Sequence, residues 1–308
     1  MRFKFVYALF FFAILVANCS KSEDAYEEFV FESVDNPDDG SDENDDTDGT
    51  FADIDFSNWK VTLPVDENNN GGPDEYQPSS LINGRYRTNS AIQPYMYDDV
   101  GDASIEFYTF PNISTTNSSY SRTELRELIN PSDSKENWSL LEGGTIEGRL
   151  KVVDISEDSE SSRQYHRTIV MQIHGILSIE DMSAHGFSSN NGPPLIKMTW
   201  IDGDLWVYKK SLIDESTTGD ALLDTSSDTW FDEKINMGYV GFEAFDFKIT
   251  ASDARLELQL NDDEPVVYQD VSLEKWPFEN YFKAGNYLSS TSESAFSKVK
   301  YYELNVTH

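Results

Sequence analysis

The sequence predicts an all-β protein, an antiparallel β-sandwich or jelly roll made of many short strands. Aromatic residues make up 13% of the 308 residues, with 16 Tyr and 19 Phe, and aromatic side chains favour strands over helices. Short segments of alternating apolar and polar residues recur along most of the chain, whereas no long amphipathic helix pattern is present. Strands without crossover helices pair antiparallel, which favours packed sheets over an α/β fold.

The predicted folded domain spans residues 53–308. It begins with an apolar alternation through Phe56, Trp59, Val61 and Leu63. Strand-like segments then recur to the end of the domain. We predict strands at 104–110, 120–128, 145–153, 168–174, 195–200, 205–209, 237–251, 255–260, 266–271, 281–287 and 296–306.

Turn-forming residues separate these segments. Asp202-Gly203 lies between two apolar runs, and Asn261-Asp262-Asp263 precedes another. One connection is longer, because residues 178–194 are rich in Ser, Asn, Gly and Pro. We predict a long loop there and regard it as a candidate lid.

Residues 1–19 are predicted to be a secretory signal. Arg2 and Lys4 precede an apolar run at 5–17 that is too short for an ordinary membrane span. The segment before Cys19, the single cysteine, resembles a bacterial lipoprotein signal, in which the cysteine becomes lipidated. We therefore expect an extracellular or outer-membrane-surface protein whose contact with the membrane is a lipid on Cys19. A signal peptide cut nearby, with an incidental thiol, is the alternative.

The formal net charge of −33 is unevenly distributed. Residues 1–57 contain 15 Asp and Glu against 3 Lys and Arg, and residues 20–52 are so polar that we predict a disordered acidic linker. The remainder is also acidic and has no basic stripe, so a nucleic-acid partner is not expected. A polyanionic ligand would need a local basic cleft.

Three predicted strands carry polar side chains on one face and apolar ones on the other. Successive side chains of a strand point to opposite faces, so residues two apart share a face. This pattern predicts one sheet whose polar face is a binding groove. The polar-face residues are Arg122, Glu124 and Arg126 in the first strand, Gln172 and His174 in the second, and Tyr281, Lys283, Gly285 and Tyr287 in the third.

Together these segments resemble the three signature blocks of alginate lyases of polysaccharide lyase family 7. The blocks read Arg-Thr-Glu-Leu-Arg at 122–126, Gln-Ile-His at 172–174 and Tyr-Phe-Lys-Ala-Gly-Asn-Tyr at 281–287. Each block is weak alone, but the three in this order are specific. The resemblance covers roughly residues 53–308 and implies a β-jelly roll whose concave sheet binds alginate, a polymer of 1,4-linked uronic acids.

The resemblance also implies the catalytic roles. Arg122 and Gln172 would neutralise the uronate carboxylate, His174 would take the C5 proton, and Tyr287 would protonate the leaving O4. These residue types suit β-elimination, because the carbanion forms beside a negative charge that must first be neutralised. An imidazole with its ordinary pKa of about 6.5 would be a suitable base near neutral pH.

The remaining expectations concern substrate, cofactor and assembly. The resemblance implies no metal or other cofactor, and we expect a monomer acting within the polymer. Isoleucine at position 173 is associated in the family with acceptance of guluronate, which favours guluronate-containing blocks. The predicted groove-lining residues are Glu124, Arg126, Lys283 and Tyr281.

Two other functions compete with this interpretation. A surface-tethered module could hold polyuronate without cutting it. A jelly-roll glycoside hydrolase would need two carboxylates flanking the scissile bond, for which the sequence offers scattered pairs such as Glu243 and Asp246. Without the family match, the Arg122, Glu124 and Arg126 ladder could also be solvated cross-strand charges.

Overall fold

A computed structural model of the chain describes residues 51–225 and 228–308. The predicted signal at 1–19 with Cys19, and nearly all of the predicted linker at 20–52, lie outside these residues and stay predictions. Within the described part of the chain, no helix combines the length and the apolar character needed to cross a membrane.

The described residues form short strands joined by turns and a few short helices. The strands are β1 (Asp53–Ile54), β2 (Trp59–Thr62), β3 (Glu75–Tyr76), β4 (Met96–Asp99), β5 (Ser104–Thr109), β6 (Arg122–Glu127), β7 (Gly144–Ile155), β8 (Thr168–Ile176), β9 (Asn191–Ile201), β10 (Asp204–Leu212), β11 (Trp230–Tyr239), β12 (Phe245–Ser252), β13 (Arg255–Leu260), β14 (Val266–Gln269), β15 (Glu279–Leu288) and β16 (Ser297–Thr307). The helices are α1 (Ile179–His185), α2 (Val271–Glu274) and the 3₁₀ segments Phe56–Asn58, Pro78–Ser80, Ile82–Thr88 and Gly219–Leu223.

Two eight-stranded sheets make up the fold. The groove sheet has the strand order β11-β10-β9-β8-β15-β6-β2-β3, and the back sheet has the order β14-β13-β12-β7-β16-β5-β4 with β1 added on β16. Their ladders are antiparallel, apart from the short parallel pairing of β1 with β16. The predicted all-β sandwich is therefore confirmed.

The apolar faces of the two sheets share one core. Ile173 and Phe282 of the groove sheet belong to the same buried cluster as Phe107, Ile146 and Tyr301 of the back sheet. Alternation explains this arrangement, since in β12 every second residue is buried while its neighbours face outward. The opposite face of the groove sheet is left for polar side chains.

The core also fixes the middle of the groove sheet through buried polar groups. The Tyr301 hydroxyl of β16 donates to the Val170 carbonyl of β8 and accepts the Gly285 N–H of β15 at 3.1 Å. Buried polar groups need such partners, because an unpaired one costs about 1–3 kcal/mol. The two strands that carry the second and third signature blocks are thus anchored to the sheet behind them.

The predicted strand at 237–251 is wrong. This stretch contains the end of β11, a turn, and most of β12, and β11 and β12 belong to different sheets. The turn forms because the Gly203 carbonyl accepts both the Val240 N–H at 2.8 Å and the Gly241 N–H at 2.9 Å. Gly241 has a positive φ of 56° there, a conformation that glycine adopts at low cost.

The predicted loop at 178–194 is only partly correct, because it contains α1 and the beginning of β9. The Ser178 side chain caps α1 by accepting the Asp181 N–H at 3.0 Å. The helix ends at Gly186 in the left-handed conformation. Both are ordinary helix boundary signals.

Candidate active site

A groove of about 810 Å³ lies on the polar face of the groove sheet. Residues from every strand between β3 and β11 in the sheet order line it. Its lining contains eight basic side chains and two acidic ones, which contrasts with the net charge of −33 for the whole chain. The basic residues are Lys60, Arg122, Arg126, Arg167, Lys197, Lys210, Lys234 and Lys283, and the acidic ones are Glu75 and Asp232.

Strand β15 lies between β6 and β8 and brings the three sequence blocks together. On its β6 side, Tyr287 pairs with Arg122, Gly285 with Glu124, and Lys283 with Arg126. On its β8 side, Tyr281 pairs with His174 and Lys283 with Gln172. All the predicted site residues of these blocks therefore lie on three adjacent strands, and most of them line one groove.

The Glu124 carboxylate connects all three strands. It is 1% exposed, and its Oε1 accepts the Gln172 amide at 2.6 Å. Its Oε2 lies 2.5 Å from the Lys283 ammonium and 3.5 Å from the Arg122 guanidinium. Glu124 was predicted to line the groove; the structure instead places it beneath the lining, where it orders three of the lining side chains.

Gly285 stands opposite Glu124 because the two strands approach each other closely there. A Cβ at Gly285 would lie 2.6 Å from the Thr123 carbonyl oxygen and 2.9 Å from the Glu124 Cα. Its φ of +140° also disfavours any L side chain. Beside it, β15 carries one residue more than β8 between Ala284 and Tyr287, a bulge in the β8 ladder. Bulges of this kind re-aim side chains at active sites.

The bulge is fixed by Asn286, whose side chain is buried and fully hydrogen-bonded. Its amide nitrogen donates to the Phe107 and Ser297 carbonyls, each at 2.8 Å. Its amide oxygen accepts the Thr168 hydroxyl at 2.7 Å and the Ser297 hydroxyl at 2.6 Å. Because these partners lie in both sheets, the adjacent Tyr287 is held in a defined position at the groove.

The Tyr287 ring contacts three groups. The Arg122 guanidinium lies 4.0 Å from the ring centroid, which places a positive charge on the ring face. The Tyr120 ring meets it edge-on at 6.2 Å. The phenolic oxygen lies 2.5 Å from the Ser118 hydroxyl.

His174 is neutral in this site. Burial lowers the pKa of the imidazole to about 3, and the nearby Lys283 charge acts in the same direction. Nδ1 lies 2.9 Å from the Gly175 carbonyl, and because a carbonyl only accepts, Nδ1 carries the hydrogen and Nε2 the lone pair. The sequence predicted an ordinary imidazole pKa; the structure instead gives a ring that is already deprotonated but weakly basic before substrate binds.

Tyr281 and Arg126 form the other wall of this part of the groove. The Tyr281 ring stacks on His174 with centroids 5.2 Å apart, and the Arg126 guanidinium lies 4.2 Å from its centroid. Burial raises the pKa of Tyr281 to about 12, so it remains a neutral phenol. Arg126 is held from behind by the Ser134 carbonyl at 3.0 Å and the Asn137 side chain at 2.9 Å.

Lys283 is a buried cation that can lose its proton near neutral to mildly alkaline pH. Burial lowers the pKa of its ammonium to about 8, although the Glu124 charge opposes this. The ammonium is charged below that pH and loses its charge above it. Together with Arg122 and Arg126, it makes the centre of the groove net positive in spite of Glu124.

The sequence did not predict the part of the groove formed by β9, β10 and β11. We call it the lysine arm, after Lys197, Lys210 and Lys234. Asp232 bridges the Lys197 ammonium at 2.7 Å and the Lys210 ammonium at 2.9 Å. The ammonium groups of Lys197 and Lys234 lie 5.3 and 5.4 Å from the Tyr208 ring centroid. Lys197 and Tyr208 lie in predicted strands that carry no signature block, and Asp232 and Lys234 lie in the part of β11 that was not predicted. Ser118 was also missed, since it lies in a loop without any motif.

The carboxylate pair that the sequence offered for a hydrolase, Glu243 and Asp246, does not line the groove. Asp246 belongs to β12 of the back sheet and pairs with Arg149 at 2.9 Å, and Glu243 lies in the turn before that strand. Among residues 51–225 and 228–308, no three His, Cys, Asp or Glu side chains are grouped so that they could hold a metal ion.

The chain is similar to known proteins of one enzyme family. Residues 54–308 match the family model described as alginate lyase. An alginate lyase of Klebsiella pneumoniae is 23% identical, over 83% of this chain and 90% of that protein.

Solved structures of alginate lyases are also similar to this chain. The alginate lyase A1-II′, a member of polysaccharide lyase family 7, is 29% identical with a TM-score of 0.61, covering 82% of this chain and 95% of that one. A form of A1-II′ with one histidine and one tyrosine replaced, in complex with the substrate GGMG, is 26% identical with a TM-score of 0.62, covering 83% and 94% of the two chains.

The protonation states in the site can be measured directly by ¹⁵N NMR of the imidazole rings. We expect His174 to stay neutral, with its hydrogen on Nδ1, until the pH falls to about 3. His308 provides an internal comparison, because Glu127 at 2.7 Å raises its pKa above the usual value in spite of burial. It should therefore become protonated at a higher pH than a solvated histidine. A His174→Gln variant assigns the signal, and a His174 midpoint at or above about 6.5 would contradict the site geometry.

Proposed function

Because the chain belongs to the alginate lyases of polysaccharide lyase family 7, we propose that its groove cleaves alginate within the polymer by β-elimination and accepts guluronate-containing blocks. The observation that carries this proposal is the convergence of Arg122, Gln172, His174 and Tyr287 in one basic groove. The alternatives of mere binding and of hydrolysis become outcomes of the tests below.

Arg122 and Gln172 neutralise the uronate carboxylate in this proposal. A guanidinium has five N–H donors in a planar fork, and the 3.5 Å contact with Glu124 leaves donors for a ligand. The Gln172 amide nitrogen has two hydrogens, of which one bonds to Glu124. The second can reach the same ligand carboxylate. Neutralising that group lowers the cost of the negative charge that develops at C5.

His174 takes the C5 proton through Nε2. Its low pKa makes it a weak base, but a uronate carboxylate beside the ring would favour the imidazolium and raise that pKa. The uronate that loses its C5 proton thus also raises the basicity of the His174 imidazole. Where the C5 proton and O4 lie on the same side of the sugar, Tyr287 performs both transfers.

Tyr287 gives its phenolic proton to the leaving O4. The Arg122 charge on the face of its ring favours the phenolate that remains. Lys283 adds positive charge to the same part of the groove. A form of the relative A1-II′ with a histidine and a tyrosine replaced was solved with substrate, which supports assigning the chemistry to these residue types.

Action within the polymer is supported by the extent of the groove. Its lining comes from all eight strands of the groove sheet, a width of roughly 34 Å at the usual strand spacing. Lys210 on β10 and Lys234 on β11 lie two and three strands from β8 in the sheet order and add positive charge for further uronate carboxylates. Polymer bound on both sides of the cleaved bond is the arrangement that endo cleavage requires.

Acceptance of guluronate is supported by Ile173 and by the complexes of one relative. Ile173 is fully buried in the core, so it would act through the position of Gln172 and His174 and not by touching the sugar. Forms of the relative A1-II′, 26% and 28% identical to this chain, were solved in complex with oligosaccharides written GGMG and GGG.

Alginate turnover tests the proposed roles. The chain should release unsaturated products that absorb ultraviolet light. The substitution Tyr287→Phe should lower kcat about 100-fold or more, because it removes the acid, and should leave alginate affinity nearly unchanged. His174→Ala should lower turnover similarly on at least one block type. Tyr302→Phe is the matched control, since its hydroxyl contacts Asp102 on the back sheet.

Three results would contradict these roles. Near-normal turnover of Tyr287→Phe would remove Tyr287 as the acid. Alginate retention by the unmodified chain without any product would indicate a binding module. Cleavage without ultraviolet absorption would indicate hydrolysis.

Product chromatography on guluronate and mannuronate blocks tests the mode of action. Early products of mixed, long lengths are expected from endo cleavage, whereas one short product from the first minutes would indicate exo cleavage. Replacing Lys210 and Lys234 by Met should raise KM several-fold for long chains, since each lost ion contact contributes roughly 0.5 kcal/mol, and should leave KM for the shortest cleaved oligosaccharides unchanged. Lys248→Met is the control, because Lys248 pairs with Glu147 on the back sheet.

A further inference from the structure

Ser118 lies at the tip of the Tyr287 side chain although it is distant in sequence. It belongs to the loop between β5 and β6 and lines the groove. Its hydroxyl oxygen is 2.5 Å from the Tyr287 phenolic oxygen. A hydroxyl so close to the proposed acid must influence where the phenolic proton points.

The other contacts of Ser118 provide one arrangement in which the serine accepts that hydrogen bond. Its hydroxyl donates to the Tyr120 carbonyl at 3.1 Å and accepts the Tyr120 N–H at 3.1 Å. A serine hydroxyl has one hydrogen and two lone pairs. With its hydrogen on the carbonyl, Ser118 can only accept from Tyr287. In this arrangement, which we take as the resting one, the phenolic proton is directed at Ser118 and away from a ligand.

The serine hydrogen has a second acceptor within reach, the phenolic oxygen itself. If Ser118 turns its hydrogen from the Tyr120 carbonyl to Tyr287, the phenolic proton is released to point into the groove. Both orientations use the same atoms in the same places and differ by rotation of two O–H bonds. Hydroxyl hydrogens rotate readily to suit their partners.

We propose that Ser118 is a positioning residue that switches the Tyr287 proton between a resting and a transferring orientation and then stabilises the phenolate. This inference rests on the acid role proposed for Tyr287. It assigns to the β5–β6 loop a part in proton transfer that the three strand blocks do not contain.

The proposed elimination breaks two bonds of the sugar, C5–H and C4–O4. The C5–H bond breaks, its proton goes to Nε2 of His174, and its electron pair forms the C4–C5 double bond. The C4–O4 bond breaks, its electron pair stays on O4, and O4 takes the Tyr287 proton. The phenolate then accepts the Ser118 hydrogen, a hydrogen bond to an anion that is stronger than one to a neutral phenol. Water afterwards takes the proton from His174 and supplies one to Tyr287.

The loop has anchors besides the two contacts between the Ser118 hydroxyl and Tyr120. The Ser121 hydroxyl accepts the Asn112 N–H and donates to the Ile113 carbonyl, each at 2.8 Å. The Ser118 backbone N–H donates to the Thr115 carbonyl at 3.0 Å. These bonds remain in Ser118→Ala, whereas the two contacts of the hydroxyl with Tyr120 are lost. KM therefore has to be measured beside kcat, since a displaced loop would change KM.

The experiment measures kcat and KM on alginate for Ser118→Ala, Ser118→Thr and Ser119→Ala. Ser118→Ala should lower kcat about 10- to 100-fold, the effect of losing one hydrogen bond to a charged group, while KM changes by less than about twofold. Ser118→Thr keeps the hydroxyl and should recover most of the loss. Ser119 is the exposed neighbour in the same loop, and Ser119→Ala should match the unmodified chain.

Two outcomes would overturn the inference. One is unchanged kcat in Ser118→Ala. The other is a loss that Ser118→Thr does not recover, or that appears in KM instead of kcat, which would indicate a structural role. Tyr287→Phe distinguishes failure of the acid role from failure of the Ser118 role. If Tyr287→Phe retains turnover, the proposed acid role fails. If Tyr287→Phe is inactive and Ser118→Ala is fully active, only the proposed role of Ser118 fails.

Discussion

The buried carboxylate of Glu124 is the constraint on which the site depends. A charge removed from water must be paired and hydrogen-bonded, because its desolvation otherwise costs several kcal/mol. Glu124 meets this requirement with groups from three strands: Gln172 of β8, Lys283 of β15 and Arg122 of its own strand β6. The same contacts that satisfy the carboxylate set the positions of the side chains that face a uronate. Gly285 makes the arrangement possible, since a side chain there would force β6 and β15 apart.

The sheet behind the groove gives this cluster its rigidity. Tyr301 reaches from β16 to both β8 and β15, and Asn286 bonds to groups of both sheets. Backbone and buried side chains therefore fix Tyr287 and His174, while the hydroxyl hydrogens of Tyr287 and Ser118 keep rotational freedom. The positive electrostatic potential is also confined to the groove. An acidic protein presents a basic groove because cations are concentrated on one face of one sheet, so attraction of a polyanion depends on that cleft and not on the net charge.

Much of the fold and the centre of the site could be predicted, and particular residues show why. Alternation in regular strands placed Arg122, Glu124 and Arg126 on one face, and the three blocks predicted the convergence of β6, β8 and β15. The depth of Glu124 and the low pKa of His174 could not be predicted, because burial depends on tertiary packing. Ser118 could not be found either, since it meets Tyr287 across 169 positions of sequence. Lys234 of the lysine arm could not be predicted, because β11 is an edge strand in which polar residues obscure the alternation of buried and exposed positions.

The most direct test of the account is kcat/KM on alginate for Glu124→Gln at neutral pH, with unfolding monitored in parallel. The substitution keeps the shape of the side chain and makes the groove more positive, so electrostatic attraction alone predicts tighter binding and undiminished turnover. The account predicts the opposite, a loss of about tenfold or more in kcat/KM, because Arg122, Gln172 and Lys283 lose the group that aligns them. A folded Glu124→Gln variant with equal or higher kcat/KM would contradict it.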